Sequence, residues 1–358
     1  MSALTPEDTF MRFREYMLGP ARFMTLLSCF ELGIIDALRK EPGMTTDRLG
    51  ETVGATAGAV EQLLHLPVKE GFISYDEASG GYSLDALADI AEADLGRLLT
   101  VMDMIKVVML RQMFYLTESV QTGTVVGLDK FYGFKGNLYE AVGEHKDLRE
   151  SWATMMDDVT AHVDPWFFRN LRIPAGSKVL DLAGNTGLGA IMTYRLKASP
   201  GLRVTTFDLP EKEEECLETF RTHGVEKHCS FIGGDVFASV PKGFDVVLIK
   251  HFLDMFDKED VVRILTSVSN ALEVGGQVNI LVPVYPDDVK DPSSAGVDLF
   301  PVYFLSGAMG KGGPQKLSTY RSWVEECGFE VTKTVAQDLT KTPGALIAHG
   351  ILCATKVA

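Results

Sequence analysis

Val179-Leu180-Asp181-Leu182-Ala183-Gly184-Asn185-Thr186-Gly187-Leu188-Gly189 is the stretch on which the reading of this chain turns. Its first four residues form a short apolar strand, the next five are small or turn-forming, and beyond Gly187 the apolar spacing becomes helical. Small residues let the backbone turn tightly and approach a ligand. The N-terminus of the following helix offers N–H groups that have no partner within the helix. The letters alone are weak evidence. Their place at the carboxyl end of the first strand of an alternating series makes the loop a binding candidate.

Downstream, strands are expected at 178–182, 203–207, 244–249 and 277–282, with the last ones at 331–335 and 345–354. Helices are expected near 188–197, 211–223 and 258–272. Strand and helix in alternation imply an α/β fold, a Rossmann-like doubly wound parallel sheet covered on both faces. Phe207-Asp208-Leu209-Pro210 closes the second strand, placing a carboxylate 27 residues after Asp181 where it can accept from both hydroxyls of a ribose. Gly233-Gly234-Asp235-Val236-Phe237 is a turn that can aim Asp235 at an adenine amino group. Each acid alone is an ordinary loop residue; their order after successive strands is not.

Upstream, the chain reads as helices. Residues 23–38 are too apolar to stand alone in water and call for a helical or subunit partner. A capped helix start at Thr45-Thr46-Asp47, a second helix over 58–69 and strands around 72–75 and 82–84 make a winged-helix pattern. Pro67 inside the second helix weakens it. Residues 1–100 hold eight basic against sixteen acidic side chains, the wrong sign for binding nucleic acid, and 55–69 offers only Lys69. Residues 101–170 are helical and rich in Met and aromatic side chains, usually plain core but also suited to roofing a flat ligand.

Composition agrees. The 358 residues are 46% hydrophobic and 23% charged, which excludes disorder and fibrous repeats and allows roughly two domains. A net charge of −15 argues against polyanionic partners. Five scattered cysteines without a CxxC pair point to a reducing, cytoplasmic setting and not to disulfides or zinc. No signal peptide and no membrane span is expected, since residues 101–110 are interrupted by Asp103 and Lys106.

At this point the chain resembles the class I S-adenosylmethionine-dependent methyltransferases, specifically the small-molecule O-methyltransferases with an N-terminal dimerisation domain. The resemblance spans nearly the whole length. It rests on Glu31-Leu32-Gly33-Ile34-Ile35-Asp36-Ala37-Leu38, on the loop above, on Phe207-Asp208-Leu209-Pro210, on Gly234-Asp235-Val236-Phe237, and on Leu248-Ile249-Lys250-His251 followed by Leu272-Glu273-Val274-Gly275-Gly276. It implies a winged-helix dimerisation domain over 1–100, a helical linker and pocket roof over 101–172, and a cofactor-binding domain over 173–358. It also implies that Asp181, Gly184 and Gly187 belong to the methionine end of the cofactor site and that Asp208, with Leu209 beside it, holds the ribose. Asp235 and Val236 would flank the adenine, and Lys250 would lie beside the cofactor. Ala183 and Asn185 replace glycines usual in the family, and asparagine tolerates a left-handed backbone. A homodimer with a small-molecule acceptor is implied as well.

The chain departs from that family at the catalytic base. Where a histidine is usual, it reads Lys250-His251-Phe252-Leu253-Asp254-Met255-Phe256, with Asp254 at the base position. Val282 and Gly312-Gly313-Pro314-Gln315-Lys316-Leu317 carry none of the orienting acids. An exposed aspartate ionises near 4 and accepts a phenolic proton poorly, although burial raises that value. His251 is a secondary candidate base. No metal is expected, because Asp254 has no histidine neighbour and 297–303 offers one carboxylate. Carbon-methylating relatives also lack the histidine, and Leu305-Ser306-Gly307-Ala308-Met309 is similar to a segment of theirs. The expected activity is methyl transfer to an aromatic or polycyclic acceptor at carbon or another atom needing no histidine base. Met155, Met156, Phe168, Val302 and Tyr303 join Asp254 around the acceptor. Ordinary O-methylation and a cofactor-binding enzyme that transfers no methyl are the alternatives.

Overall fold

The computed structural model describes residues 4–288, 297–341 and 347–357. The chain divides into two units, Met1–Met102 and Asp103–Ala358. Most of the stretch read as a separate linker, 101–172, therefore lies in the same unit as the sheet.

In the first unit α1 (Pro6–Glu31) starts at a capping box in which Thr5 and Asp8 exchange hydrogen bonds. Only Leu27 and Cys29 of α1 are buried, while Phe10, Met11, Phe13, Tyr16 and Met17 are exposed. The apolar stretch 23–38 is broken at Gly33, whose φ of +78° turns the chain into α2 (Ile34–Lys40). Thr45 caps α3 (Thr46–Val53) and Thr56 caps α4 (Ala57–Lys69), with Pro67 in its last turn. The antiparallel hairpin β1 (Ile73–Asp76) and β2 (Gly81–Leu84) follows. The winged-helix core is Ile34, Ile35, Leu38, Leu49, Leu64 and Ile73, joined by Leu95 of α5 (Glu92–Met104).

The second unit begins with a helical cap. It comprises a π-helical segment Ile105–Leu110, the short helices α6 (Arg111–Met113), α7 (Leu116–Thr122), α8 (Val126–Tyr132) and α9 (Leu138–Glu144), and the long α10 (Lys146–Asn170). The sheet strands are β3 (Lys178–Leu182), β4 (Arg203–Asp208), β5 (Cys229–Gly233), β6 (Val246–Lys250), β7 (Gln277–Tyr285), the two-residue β8 (Gln315–Lys316), β9 (Phe329–Ala336) and β10 (His349–Lys356). They are ordered β5-β4-β3-β6-β7-β10-β9, with β8 beside the end of β7. The pairs from β5 through β7 are parallel, and β10 runs antiparallel between β7 and β9.

Alternate residues feed the two faces. Leu180, Val247 and Ile249 pack on Ile264, Leu265 and Val268 of α13 (Lys258–Ala271), with Val324 of α15 (Leu317–Glu326) in the same layer. Val179, Val204 and Leu248 pack on Phe167 and Phe168 of α10, with Ile191 of α11 (Leu188–Leu196) and Phe220 of α12 (Glu213–Thr222). Burial on both faces explains why these strands read as continuous apolar runs. The strand β5 falls outside the expected set, because its outward residues are exposed. Of the expected last strand, 345 and 346 lie outside the described residues; β10 begins at His349.

Beyond β7, α14 (Phe300–Val302) leads into a second π-helical segment, Tyr303–Ala308. At Gly307 a Cβ would stand 3.3 Å from the Val108 carbonyl oxygen, so the two π-segments meet closely. The cap has its own core, including Met109, Leu128, Leu138, Met155, Tyr303 and Phe304.

Candidate active site

The strand order reverses at β3, flanked by β4 and β6, and the crevice beyond the carboxyl ends of such strands is where doubly wound folds receive ligands. Beyond β3 the chain is left-handed at Ala183, Asn185 and Gly187, with φ of +55°, +48° and +80°. Such alternation curls the backbone tightly, and three of its N–H groups, those of Ala183, Asn185 and Gly187, bond to acceptors within the protein. The left-handed alanine costs about 1–2 kcal/mol. Two bonds hold the turn: the Ala183 N–H to the Phe207 carbonyl (2.8 Å) and the Gly187 N–H to the Gly184 carbonyl (2.9 Å). Gly187 faces away from the loop's open side, since a Cβ there would stand 2.5 Å from the Phe220 ring.

Asp208 ends β4 half-buried. Its Oδ2 accepts the Asn185 N–H at 2.8 Å and its Oδ1 the Leu209 N–H at 2.7 Å. Burial pushes its carboxyl above the ordinary range, with those two donors pulling the other way. Each oxygen keeps a further lone pair. After β5, exposed Asp235 accepts the Phe237 N–H at 2.9 Å, Val236 is buried and Leu209 is exposed.

Behind the glycine loop lies a buried ion triad. Lys250, at the end of β6, donates to Oδ2 of Asp164 on α10 at 2.7 Å, and its Nζ lies 3.8 Å from Oδ1 of Asp181. Both aspartates are fully buried. Desolvation pushes Asp181 up to about 6 against the pull of the Lys250 charge. A Cβ on Gly189 would overlap the Lys250 ammonium, and one on Gly184 would stand 2.6 Å from Asp181 Oδ2. Asp181 and Lys250, read from sequence as cofactor contacts, are thus packed behind the loop, engaged with each other and with Asp164.

Asp254 lies in a single turn, Leu253–Met255, after β6. It is buried, its Oδ1 has no hydrogen-bond partner among the described residues, and its backbone carbonyl accepts the Gly313 N–H at 2.8 Å. Desolvation pushes its carboxyl up to about 7. Its charge is felt by Tyr139, Tyr303 and Tyr320. Tyr139, Trp152 and Tyr303 pack together in the cap, with the Tyr139 and Trp152 rings edge-on at 5.6 Å, and burial raises Tyr303 to about 12.

The remaining expected residues separate. Met155, Met156 and Tyr303 share the core of the cap, with Tyr139, Trp152 and Met255. Val302, half-buried, immediately precedes Tyr303 and accepts the Ser306 hydroxyl at 2.7 Å. Phe168 belongs elsewhere: it packs with Phe167 against the sheet, its ring 5.9 Å from the Lys250 ammonium. His251, at φ +50°, stacks edge-on against His349 with centroids 5.1 Å apart. Burial drives its pKa well below 6.5, which makes it a poor base. Val282 is fully buried in the core. Asp164 and Tyr139 escaped the sequence reading, whereas Trp152 stood among the aromatic residues of 101–170 and Gly189 in the glycine stretch, neither with a role of its own. Among the described residues no group of three or more His, Cys, Asp or Glu could hold a metal, and no helix is long and apolar enough to cross a membrane.

A winged-helix unit followed along the chain by a doubly wound sheet with an acid-bearing glycine loop defines the class of S-adenosylmethionine-dependent methyltransferases, and structures of this fold carry that cofactor or its demethylated product. The O-methyltransferase domain family matches residues 113–330 and the O-methyltransferase dimerisation domain matches 14–91; the chain belongs to the O-methyltransferase family. It is 26% identical over 307 residues to the mitomycin biosynthesis 6-O-methyltransferase of Streptomyces lavendulae, covering 85% of this chain and 84% of that one. It is 24% identical over 343 residues to the L-tyrosine C(3)-methyltransferase of the same organism, covering 95% and 91%. The solved structure of the mitomycin 7-O-methyltransferase MmcR superposes with a TM-score of 0.77 at 22% identity, covering 98% of each chain. The chain is a methyltransferase of small molecules that uses S-adenosylmethionine.

Proposed function

We propose that this enzyme methylates a ring carbon of an electron-rich aromatic or polycyclic acceptor, with Asp254 as the proton acceptor. The observation that carries the reading is Asp254 itself: buried, with a free Oδ1 and a pKa of about 7, at the position where the family's histidine is absent. When bound, S-adenosylmethionine supplies a methyl group on a positively charged sulfur that departs as a neutral thioether. The residues present fit it. Asp208 has two lone pairs left for the ribose hydroxyls, Leu209, Asp235 and Val236 would flank the adenine, and the Gly184 and Thr186 N–H groups, unlike those of Ala183, Asn185 and Gly187, would remain for the amino-acid end.

On the acceptor side Met155, Met156, Val302 and Tyr303, with Tyr139 and Trp152, would form the walls. The attacking carbon gains the methyl group and then loses its ring proton to the Asp254 carboxylate. That transfer is strongly downhill from an arenium ion, whereas a phenol near 10 would give up its proton uphill by about three pKa units. O-methylation is the second reading, favoured by the pKa of about 7, which is closer to a useful base than an exposed aspartate. The exposed apolar face of α1 and the dimerisation-domain match support a homodimer. The five free cysteines agree with a reducing, cytoplasmic setting.

Incubating the enzyme and methyl-13C-labelled cofactor with natural-product extracts tests the reading. A labelled product whose methyl carbon resonates as aryl C–CH3 supports it, and an O–CH3 resonance transfers support to the second reading. Cofactor binding without any labelled product or S-adenosylhomocysteine would sink both in favour of the non-methylating alternative.

A further inference from the structure

Three charged side chains from three elements meet behind the glycine loop, and nothing in proton transfer to Asp254 uses them. Asp164 comes from α10, Asp181 from β3 and Lys250 from β6, with Nζ to oxygen distances of 2.7 and 3.8 Å. The loop leaves room for this contact only because residue 189 is glycine. Burying two carboxylates against one ammonium is expensive, and a single Asp–Lys pair would have served packing better. One oxygen of Asp164 and both of Asp181 have no hydrogen-bond partner among the described residues. With all three ionised the cluster carries one net negative charge. Other groups near Asp181 are Asp208 on β4, Cys216 on α12 and Cys229 on β5, and burial holds both thiols neutral.

We infer that Asp164 is a positioning residue whose excess negative charge, delivered through Lys250 and Asp181 behind the loop, makes the site prefer the sulfonium form of the cofactor over its thioether product. The two forms share ribose, adenine and amino-acid ends and differ by one positive charge at sulfur. A fixed buried charge is therefore felt by the reactant and not by the product, and it favours exchange of product for fresh cofactor after each turnover. At an effective dielectric constant near 20, one unit charge behind the loop would change the relative affinity about tenfold.

The inference rests on the cofactor placement proposed above. Calorimetric titration of the full-length enzyme with S-adenosylmethionine and S-adenosylhomocysteine, without acceptor, tests it through the ratio of the two dissociation constants. Asp164→Asn should lower the preference for S-adenosylmethionine about tenfold, and Asp164→Glu should restore it. Asp181→Asn removes the same charge from another element and should give a similar loss, which keeps the test decisive if Asp164→Asn does not fold. Equal weakening of both ligands with an unchanged ratio would mean a purely structural triad and overturn the inference alone. A wild-type enzyme that binds neither ligand would overturn the cofactor placement and the inference with it.

Discussion

Asp208 and Asp254 both follow parallel strands of one sheet, yet the chain prepares them for opposite work. Asp208 receives two backbone N–H donors, each tying one carboxylate oxygen, which offset part of the burial that raises its pKa and fix its orientation. Asp254 sits among Tyr139, Tyr303 and Tyr320, is wholly desolvated and keeps one oxygen free, so its charged form is disfavoured until about pH 7. Geometry holds the first as a permanent acceptor for hydroxyl groups. Burial holds the second near the point where a proton can come and go. Identical side chains thus acquire different chemistry from the donors and the dielectric around them, not from their place at a strand end.

Replacing Asp254 by Asn should cut kcat roughly tenfold, less than a rate-limiting general base contributes because the proton leaves an arenium ion downhill, while S-adenosylhomocysteine affinity by calorimetry changes less than about threefold. The wild-type kcat/KM should rise through pH 7 as Asp254 ionises, and the variant's residual rate should lack that limb. Asp208→Ala should do the reverse, weakening cofactor binding about 100-fold with the pH limb of the remaining activity intact. If both variants lost binding and rate together, the division of labour would be wrong.

Stability sharpens the contrast further. Because the folded pKa of Asp254 lies above its unfolded value near 4, its stabilising contribution is complete below pH 4 and is lost as pH rises through 7. The Asp254→Asn variant escapes that loss, so the stability difference measured by urea unfolding should grow in its favour by about 2–3 kcal/mol between pH 5 and 8. Tyr303→Phe, which removes the buried hydroxyl but keeps the ring, should raise KM for the acceptor severalfold and leave the cofactor side alone. The smallest effect belongs to Ala183→Gly, which relieves the left-handed alanine and should stabilise the fold by about 1 kcal/mol in thermal unfolding.

The elements that carry the proposed cofactor half were legible because they are local. Strand, loop and helix succeed one another within Val179 to Gly189, and Asp208 closes the next strand, so spacing alone suggests a role. Asn185 carries a donor to Asp208 on a left-handed backbone, as its tolerance of that conformation allows. The acceptor half was visible only as a departure. The sequence puts Asp254 in place of a histidine, but the burial that raises its pKa depends on neighbours such as Tyr139, more than 100 residues away. Asp164 stands 86 residues before Lys250, and no pattern along α10 marks it as the partner of a strand-end lysine. His251 and Phe168 stood at plausible positions but are engaged elsewhere, His251 against His349 and Phe168 in the layer with Val179 and Leu248, both tertiary contacts without a local signature.

The two π-helical segments of the cap, Ile105–Leu110 and Tyr303–Ala308, have a bearing on how this scaffold can vary. A π-turn closes its hydrogen bonds five residues apart where an α-turn takes four, so each segment stores one surplus residue. Deleting a single residue from either lets the helix rewind as α without breaking the chain, and leaves the helix on either side close to its former orientation, because the wider turn had absorbed the surplus residue. Tyr303 opens one of these segments, so a one-residue deletion there changes the local packing around that side chain and leaves the sheet and its glycine loop untouched. Such a cap can therefore gain or lose a residue in a discrete step, where point substitution alters one contact at a time.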